Sequence, residues 1–256
     1  MKKIILVVLV FGIMFACKKK KNEEEPETPP VTSTPTNPPA PVLPINIPAD
    51  ADGVLMASES EHEFGNGYKT RVGKANAFFY TSPGNYNYVD AGTVTCKDSV
   101  LPKVSGTYYF AGTLKNGQPN CGINFATGST WTVSGTSSVP AFTFSTATFP
   151  SVGALTSSTL ISKSSPYVAT YTGAANADSV VIMLTGDSVA VQKKTVLASS
   201  GSCTWTAAEI SAVKKKVSGL FPQLHIISYS ITGNTVTTNK YYIVNSNTST
   251  YRINTY

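Results

Sequence analysis

From Asp50 onward the chain reads as short runs in which apolar and polar residues alternate. A period of two places every second side chain on one face of an extended strand. The runs GVLMAS, YKTRVG, NAFFYTS, AGTVTC, GTYYFAG, STWTVSG and AFTFSTATF fall between Ala51 and Pro150. In the last two, Trp131 with Val133 and Phe142 with Phe144 share a face, opposite Thr and Ser. Gly65-Asn66-Gly67, Pro83-Gly84-Asn85 and Asn116-Gly117 punctuate the runs as turns. Many short strands with turn signals every ~8–12 residues predict a sandwich or a barrel.

The pattern pauses at Pro150-Ser151-Val152-Gly153, which reads as a seam, and restarts with TLISKS, YVATYTG, DSVVIMLTG, SVAVQKK and TVLASSG. Thr206-Ala207-Ala208-Glu209 has capping-box spacing. Ile210, Val213 and Val217 follow at i, i+3 and i+7. The spacing predicts one short helix, ended by Gly219 and kept from resuming by Pro222. QLHIISYSITG, VTTNKYYIVN and STYRINTY close the chain as strands, with Gly233-Asn234 as a hairpin turn.

The N-terminal 49 residues carry a different pattern. After Met1-Lys2-Lys3 comes an apolar run of 13 residues, Ile4 to Ala16. Crossing a bilayer as a helix takes ~20 apolar residues, so this run is too short to span and fits the ~7–15-residue apolar region of a secretory signal. Four lysines, Lys18 to Lys21, follow Cys17, and Glu23, Glu24 and Glu25 follow them. Residues 26–49 are dense in Pro, Thr and Asn, a composition that stays extended and buries too little apolar surface to fold. They read as a disordered, Pro-rich tether.

The motif Met14-Phe15-Ala16-Cys17 resembles a bacterial lipoprotein signal, in which the signal is cut before the cysteine and the thiol is acylated. That resemblance implies a signal peptide over residues 1–16 and a lipid anchor on Cys17. One acyl chain holds only reversibly and firm anchoring takes two signals, which a diacylglycerol thioether plus an N-acyl chain would exceed. The lysines would add ~1 kcal/mol each against anionic headgroups. The acidic cluster resembles the surface-export signal of Bacteroidota lipoproteins; read alone it is a solvated charge run heading the tether.

Composition narrows the remaining choices. Charged residues make up 13% of the chain, against ~25% in an average domain. Thr, Tyr, Val and Phe suit a pleated surface. The net charge is +6, but six of the 20 basic residues lie in the first 21 positions. In the body only Lys214-Lys215-Lys216 forms a run, without interleaved aromatics, so a nucleic-acid partner is not expected.

The expected fold is therefore all-β, with two sandwich domains in series over residues 50–150 and 151–256 and the one helix in the second. The second half has the size and rhythm of an immunoglobulin-like or fibronectin-like sandwich. SSPYVATYTGAANADSVVIML is similar to repeated Ig-like modules in surface proteins of Bacteroidota. DAGTVTCKDSVLP and GTYYFAG are similar to the β-rich N-terminal part of lipoproteins from the same bacteria. These resemblances imply no catalytic residue.

Candidate chemistry is sparse. Apart from Cys17 the cysteines are Cys96, Cys121 and Cys203. An oxidising compartment permits a bridge, and Cys96–Cys121 would close a loop of ~25 residues, contributing ~3 kcal/mol on the chain-entropy model. The alternative is three unpaired buried thiols. No set has metal-ligand spacing. Glu59, Glu61 and Glu63 would share one strand face, either as a solvated edge that discourages strand pairing or as oxygen ligands for Ca²⁺. His225 sits among apolar residues and reads as a satisfied, half-buried ring; His62 lies among the glutamates. With two histidines, no Gly-x-Ser-x-Gly elbow and no Gly-rich phosphate loop, neither an enzyme nor a cofactor is expected.

Two features point to the outside of a cell. Asp-Ser-Val occurs around Ser99, Ser179 and Ser188, and resembles the O-glycosylation acceptor of exported Bacteroidota proteins; it also suits a turn entering a strand. Tyrosines come in pairs, Tyr86/Tyr88, Tyr108/Tyr109 and Tyr241/Tyr242, and exposed rings can stack on sugars. The expected function is that of a lipid-anchored outer-membrane or cell-surface protein with a non-catalytic role: it captures a glycan, or else it serves as an adhesin or as an accessory subunit of an envelope protein complex.

Overall fold

A computed structural model gives the architecture and describes residues 45–63, 69–112, 120–152, 154–186, 191–213 and 222–256. Cys17, the signal, most of the tether, Ser188, the Lys214–Lys216 run and Gly219 lie outside these residues. The first half contributes β1 (Gly53–Glu63), β2 (Lys69–Ser82), β3 (Asn85–Tyr88), β4 (Val94–Cys96), β5 (Ser99–Val100), β6 (Lys103–Val104), β7 (Thr107–Ala111), β8 (Asn120–Gly122), β9 (Ser129–Val133) and β10 (Phe142–Thr146). The second contributes β11 (Leu160–Ile161), β12 (Tyr167–Thr170), β13 (Ser179–Thr185), β14 (Val191–Leu197), β15 (Ser202–Trp205), α1 (Ala207–Ala212), β16 (Gln223–Val236), β17 (Asn239–Arg252) and β18 (Asn254–Thr255). The fold is all-β with one short helix, as the alternation predicts.

The strand order differs from two sandwiches in series. One sheet runs β14-β13-β16-β17-β1-β2-β7-β6, with β3 and β8 also pairing β2, so strands of both halves share it. The join is β1 on β17, a parallel pair that sets Val54 against Tyr242 and Met56 against Val244. On one face of this sheet lie two separate apolar clusters. The first packs Leu55, Phe79, Tyr241 and Ile243 against Trp131, Val133 and Cys96 of the small sheet β10-β9-β4-β5. The second packs Val180, Ile182, Leu224 and Ile226 against Trp205 and Tyr167 of the β12-β15 pair and Ile210 of α1. Burial in β9 alternates, with Ser129, Trp131 and Val133 inside.

Local signals hold at the helix. The Thr206 hydroxyl accepts from Glu209 N at 3.2 Å, and Glu209 Oε2 accepts from Thr206 N at 2.8 Å, completing the capping box. Lys194 Nζ reaches the same carboxylate at 2.9 Å and sits 4.9 Å from the centre of the Trp205 ring. An inward lysine on the outer strand β14 discourages pairing with another chain at that edge. The predicted turn at Gly233-Asn234 is a correction. Both residues are inside β16, opposite Tyr242 and Tyr241, and the hairpin turns at Thr237-Thr238 with Thr237 at φ 59°. Gly233 instead gives room to the Tyr242 ring, which would lie 2.9 Å from a Cβ.

Cys96 and Cys121, expected as a bridge, are two buried free thiols here, as is Cys203. Cys96 belongs to the first cluster and Cys121 lies outside it. Burial pushes the Cys96 thiol and the Tyr241 phenol each up to about 12. An unfolded thiol titrates near ~8.5 and a phenol near ~10. The folded chain therefore keeps protons that the unfolded chain has released, and stability falls as pH rises from about 9 to about 12. A lower urea midpoint at pH 11 than at pH 8 is the expected result; equal midpoints contradict it.

Candidate functional site

The two clusters leave a gap on their shared face of the large sheet, and the gap is polar. Asn245 spans it as a buried amide. Its Oδ1 accepts from Ser129 Oγ at 2.9 Å and its Nδ2 donates to Thr146 Oγ1 at 2.8 Å. Next to it opens a cleft of about 400 Å³, within the usual range for a small-molecule site. Its lining includes Glu59 and Glu61 of β1, Lys69 and Arg71 of β2, and Asn247 and Tyr251 of β17. One wall is Phe125 and Phe149, stacked with ring centres 4.9 Å apart and planes 6° from parallel. The other is formed by Pro150, Ser151, Val152 and Ala154, at the seam seen in the sequence.

The polar groups are held from several sides. Glu59 Oε1 accepts from Phe125 N at 3.2 Å and its Oε2 from Asn247 Nδ2 at 3.5 Å. Glu61 pairs with Lys69 at 2.7 Å. The Tyr251 hydroxyl accepts from Leu155 N at 3.0 Å, fixing the seam to β17. Two carboxylates face one guanidinium and one ammonium, so formal charge cancels. The arrangement can exchange hydrogen bonds with a polar ligand and offer a ring face, and it gives no net attraction to a strongly charged one.

This placement corrects the expectation of a sheet edge at Glu59, where β1 pairs with β17 on one side and β2 on the other; the β17 pairing ends at Ser60, and Glu61 and Glu63 pair with β2. Among the described residues no group of three His, Cys, Asp or Glu side chains is placed to hold a metal. The side chains of His62 and Glu63 lie outside the described residues. His225 is half-buried, with Thr185 Oγ1 3.1 Å from Nε2 and Thr250 Oγ1 2.9 Å from Nδ1.

The tyrosine pairs divide. Tyr108 and Tyr241 are 2% and 1% exposed and lie in the first cluster, so neither ring can stack on a ligand. The Tyr108 hydroxyl donates to Asp90 Oδ1 at 2.8 Å and accepts from Ala91 N at 2.9 Å. Lys103, the Gly92 amide and this phenol hold the Asp90 carboxyl well below its usual range. Tyr109 is 42% exposed. Tyr86, Tyr88 and Tyr242 are half-buried against a third apolar cluster on the opposite face of the sheet. None of the six lines the cleft.

Of the Asp-Ser-Val serines, Ser99 lies on the outer strand β5, opposite Cys96 across the Lys97-Asp98 turn, and half-buried. Ser179 opens the interior strand β13, between Tyr229 and Leu197. There Asp178 Oδ2 accepts from Ile231 N at 2.9 Å, so the motif enters a strand.

The sequence reading missed Arg71, Asn247, Phe125 and Phe149. The only trace of them was the seam itself, which placed a boundary beside Phe149. No helix among the described residues is long and apolar enough to cross a membrane. No protein-family model, curated protein or solved structure matches the chain.

Proposed function

We propose that the chain is an outer-membrane lipoprotein, anchored through Cys17 and carried at the cell surface on the tether 17–49. Its body has a non-catalytic role and captures a neutral glycan in the seam cleft. The observation that carries this reading is the charge-balanced cleft with a stacked phenylalanine wall. Sugars present hydroxyls to acids and amides and an apolar face to rings, and a neutral ligand loses nothing where the charges cancel. The two-module reading takes a modified form: each half brings its own apolar layer to a shared sheet. The alternative, an adhesin or accessory subunit of an envelope complex, is supported by exposed Val100 and Val104 on β5 and β6, the end strands of two different sheets.

The test is calorimetric titration of neutral oligosaccharides into the detergent-solubilised full chain. Phe149→Ala is expected to weaken binding about tenfold, the size of one aromatic stacking contact of ~1.4 kcal/mol. If no neutral glycan binds, or if Phe149→Ala binds as well as the native chain, capture in the cleft is wrong. A protein partner recovered with the native chain and lost on Val100→Lys and Val104→Lys would favour the alternative.

A further inference from the structure

The opposite face of the large sheet carries its own apolar cluster. Val54, Met56, Tyr80, Val181, Ile227, Tyr229 and Val244 are buried there, with Met183 and Ile231 half-buried beside them. These residues run across β2, β1, β17, β16 and β13. Five strands span ~19 Å at ~4.8 Å spacing. No second sheet packs here among the described residues. The cover that is described consists of β3, with Tyr86 and Tyr88, and the chain that enters at Ile45. Ile45 is 3% exposed and Ile47 is packed beside it. Asp50 ties this entry to β17, accepting from Lys240 Nζ at 2.6 Å and from the Tyr242 hydroxyl at 2.8 Å.

Two isoleucines two residues apart reach ~7 Å, well short of the face they sit on. The chain immediately upstream is Asn37-Pro38-Pro39-Ala40-Pro41-Val42-Leu43-Pro44. We infer that this segment continues onto the same face and that Val42 and Leu43 complete its cover, so that the free tether ends near Asn37. Three observations carry this. The described chain enters the body on this face, with Ile45 buried and Ile47 packed beside it. Eight residues in a polyproline conformation extend ~25 Å, enough to cross the sheet. Between Asn22 and Pro44, Val31, Val42 and Leu43 are the only large aliphatic side chains, and two of them fall next to Ile45. Prolines also suit the role, because they bring no donor that a buried face would leave unpaired.

The consequence is a shorter reach. A tether counted to Ala49 holds the body farther from the membrane than one that ends at Asn37, by about 12 residues of extended chain or roughly 37 Å. The occupant is this chain's own segment and not a second copy. A photoreactive benzophenone amino acid replaces Leu43 in one full chain and Val31 in another, both in detergent. Irradiation is expected to join position 43 to residues of the same molecule on the third cluster, such as Met183 or Ile231, and to leave position 31 unjoined to the body. Val42→Asp with Leu43→Asp should lower the melting temperature by about 5 °C or more, with Val31→Asp within about 1 °C of native. Equal crosslinking from both positions, or melting unmoved by the Asp pair, overturns the inference. Crosslinks that form between molecules overturn it in favour of a second copy.

Discussion

Trp131→Ala and Trp205→Ala are each expected to lower a single, shared unfolding transition. The two indoles sit in different clusters, one from each half of the chain, and both are fully buried. Neither indole N–H has a hydrogen-bond partner, so what alanine removes is packing. A buried tryptophan cut to alanine costs about 3–5 kcal/mol through lost transfer energy and the cavity left behind. For a body of this size each kcal/mol moves the midpoint by about 2–4 °C, which gives a fall of roughly 6–20 °C. Trp205→Ala also removes the ring under Lys194 Nζ, so it belongs toward the upper end. Two sandwiches in series would unfold separately, and each substitution would move only its own transition. One sheet through both clusters ties them together, because β16 and β17 cannot leave one cluster without exposing the other. Calorimetry on the three chains decides: one peak that moves in both variants supports the shared sheet, and two peaks that move independently refute it.

The strands and the helix cap were legible in the sequence because they are local. Alternation marks Trp131 and Val133 as inward, and Thr206 with Glu209 forms the predicted capping box, since each signal is written within a few residues. The join between the halves is not local. Gly53 meets Tyr241 across the parallel β1–β17 pair, and nothing in either segment announces the other. That one pairing explains two misreadings. It makes a shared sheet out of two expected domains, and it moves Glu59 from a supposed edge to an interior position facing the cleft. Adjacent tyrosines were legible as one ring in and one out, and Tyr108/Tyr109 follow that rule; which ring is inside depends on the sheet's partner layer. The Gly233-Asn234 pair misled for a different reason. Such a pair signals a turn when no side chain needs the space, and here Tyr242 needs it.

Gly73→Ala is expected to cost about 3 kcal/mol or more and to abolish capture in the cleft. Gly73 lies opposite Glu59 on one side and beside Gly122 on the other. A Cβ at Gly73 would stand 1.8 Å from the Ile123 carbonyl oxygen, a distance no contact tolerates. The neighbouring glycines share the constraint. Gly122 is at φ 79°, with a Cβ position 2.3 Å from Gly73 O, and a Cβ on Gly112 would lie 2.5 Å from Gly122 N. Three backbones meet there because none carries a side chain, and alanine at Gly73 must push β8 off β2. That displacement reaches the cleft through the chain: Ile123 leads directly to Phe125, whose amide holds Glu59 and whose ring carries Phe149. Gly84→Ala is the matched control. Gly84 has φ 75° but nothing within 4 Å of its Cβ position, so alanine there costs only the left-handed backbone, about 1–2 kcal/mol, and leaves the cleft alone. Urea midpoints and glycan titrations on both variants separate the two effects. If Gly73→Ala bound ligand as the native chain does, the wall built on Phe125 and Phe149 would not be the binding surface.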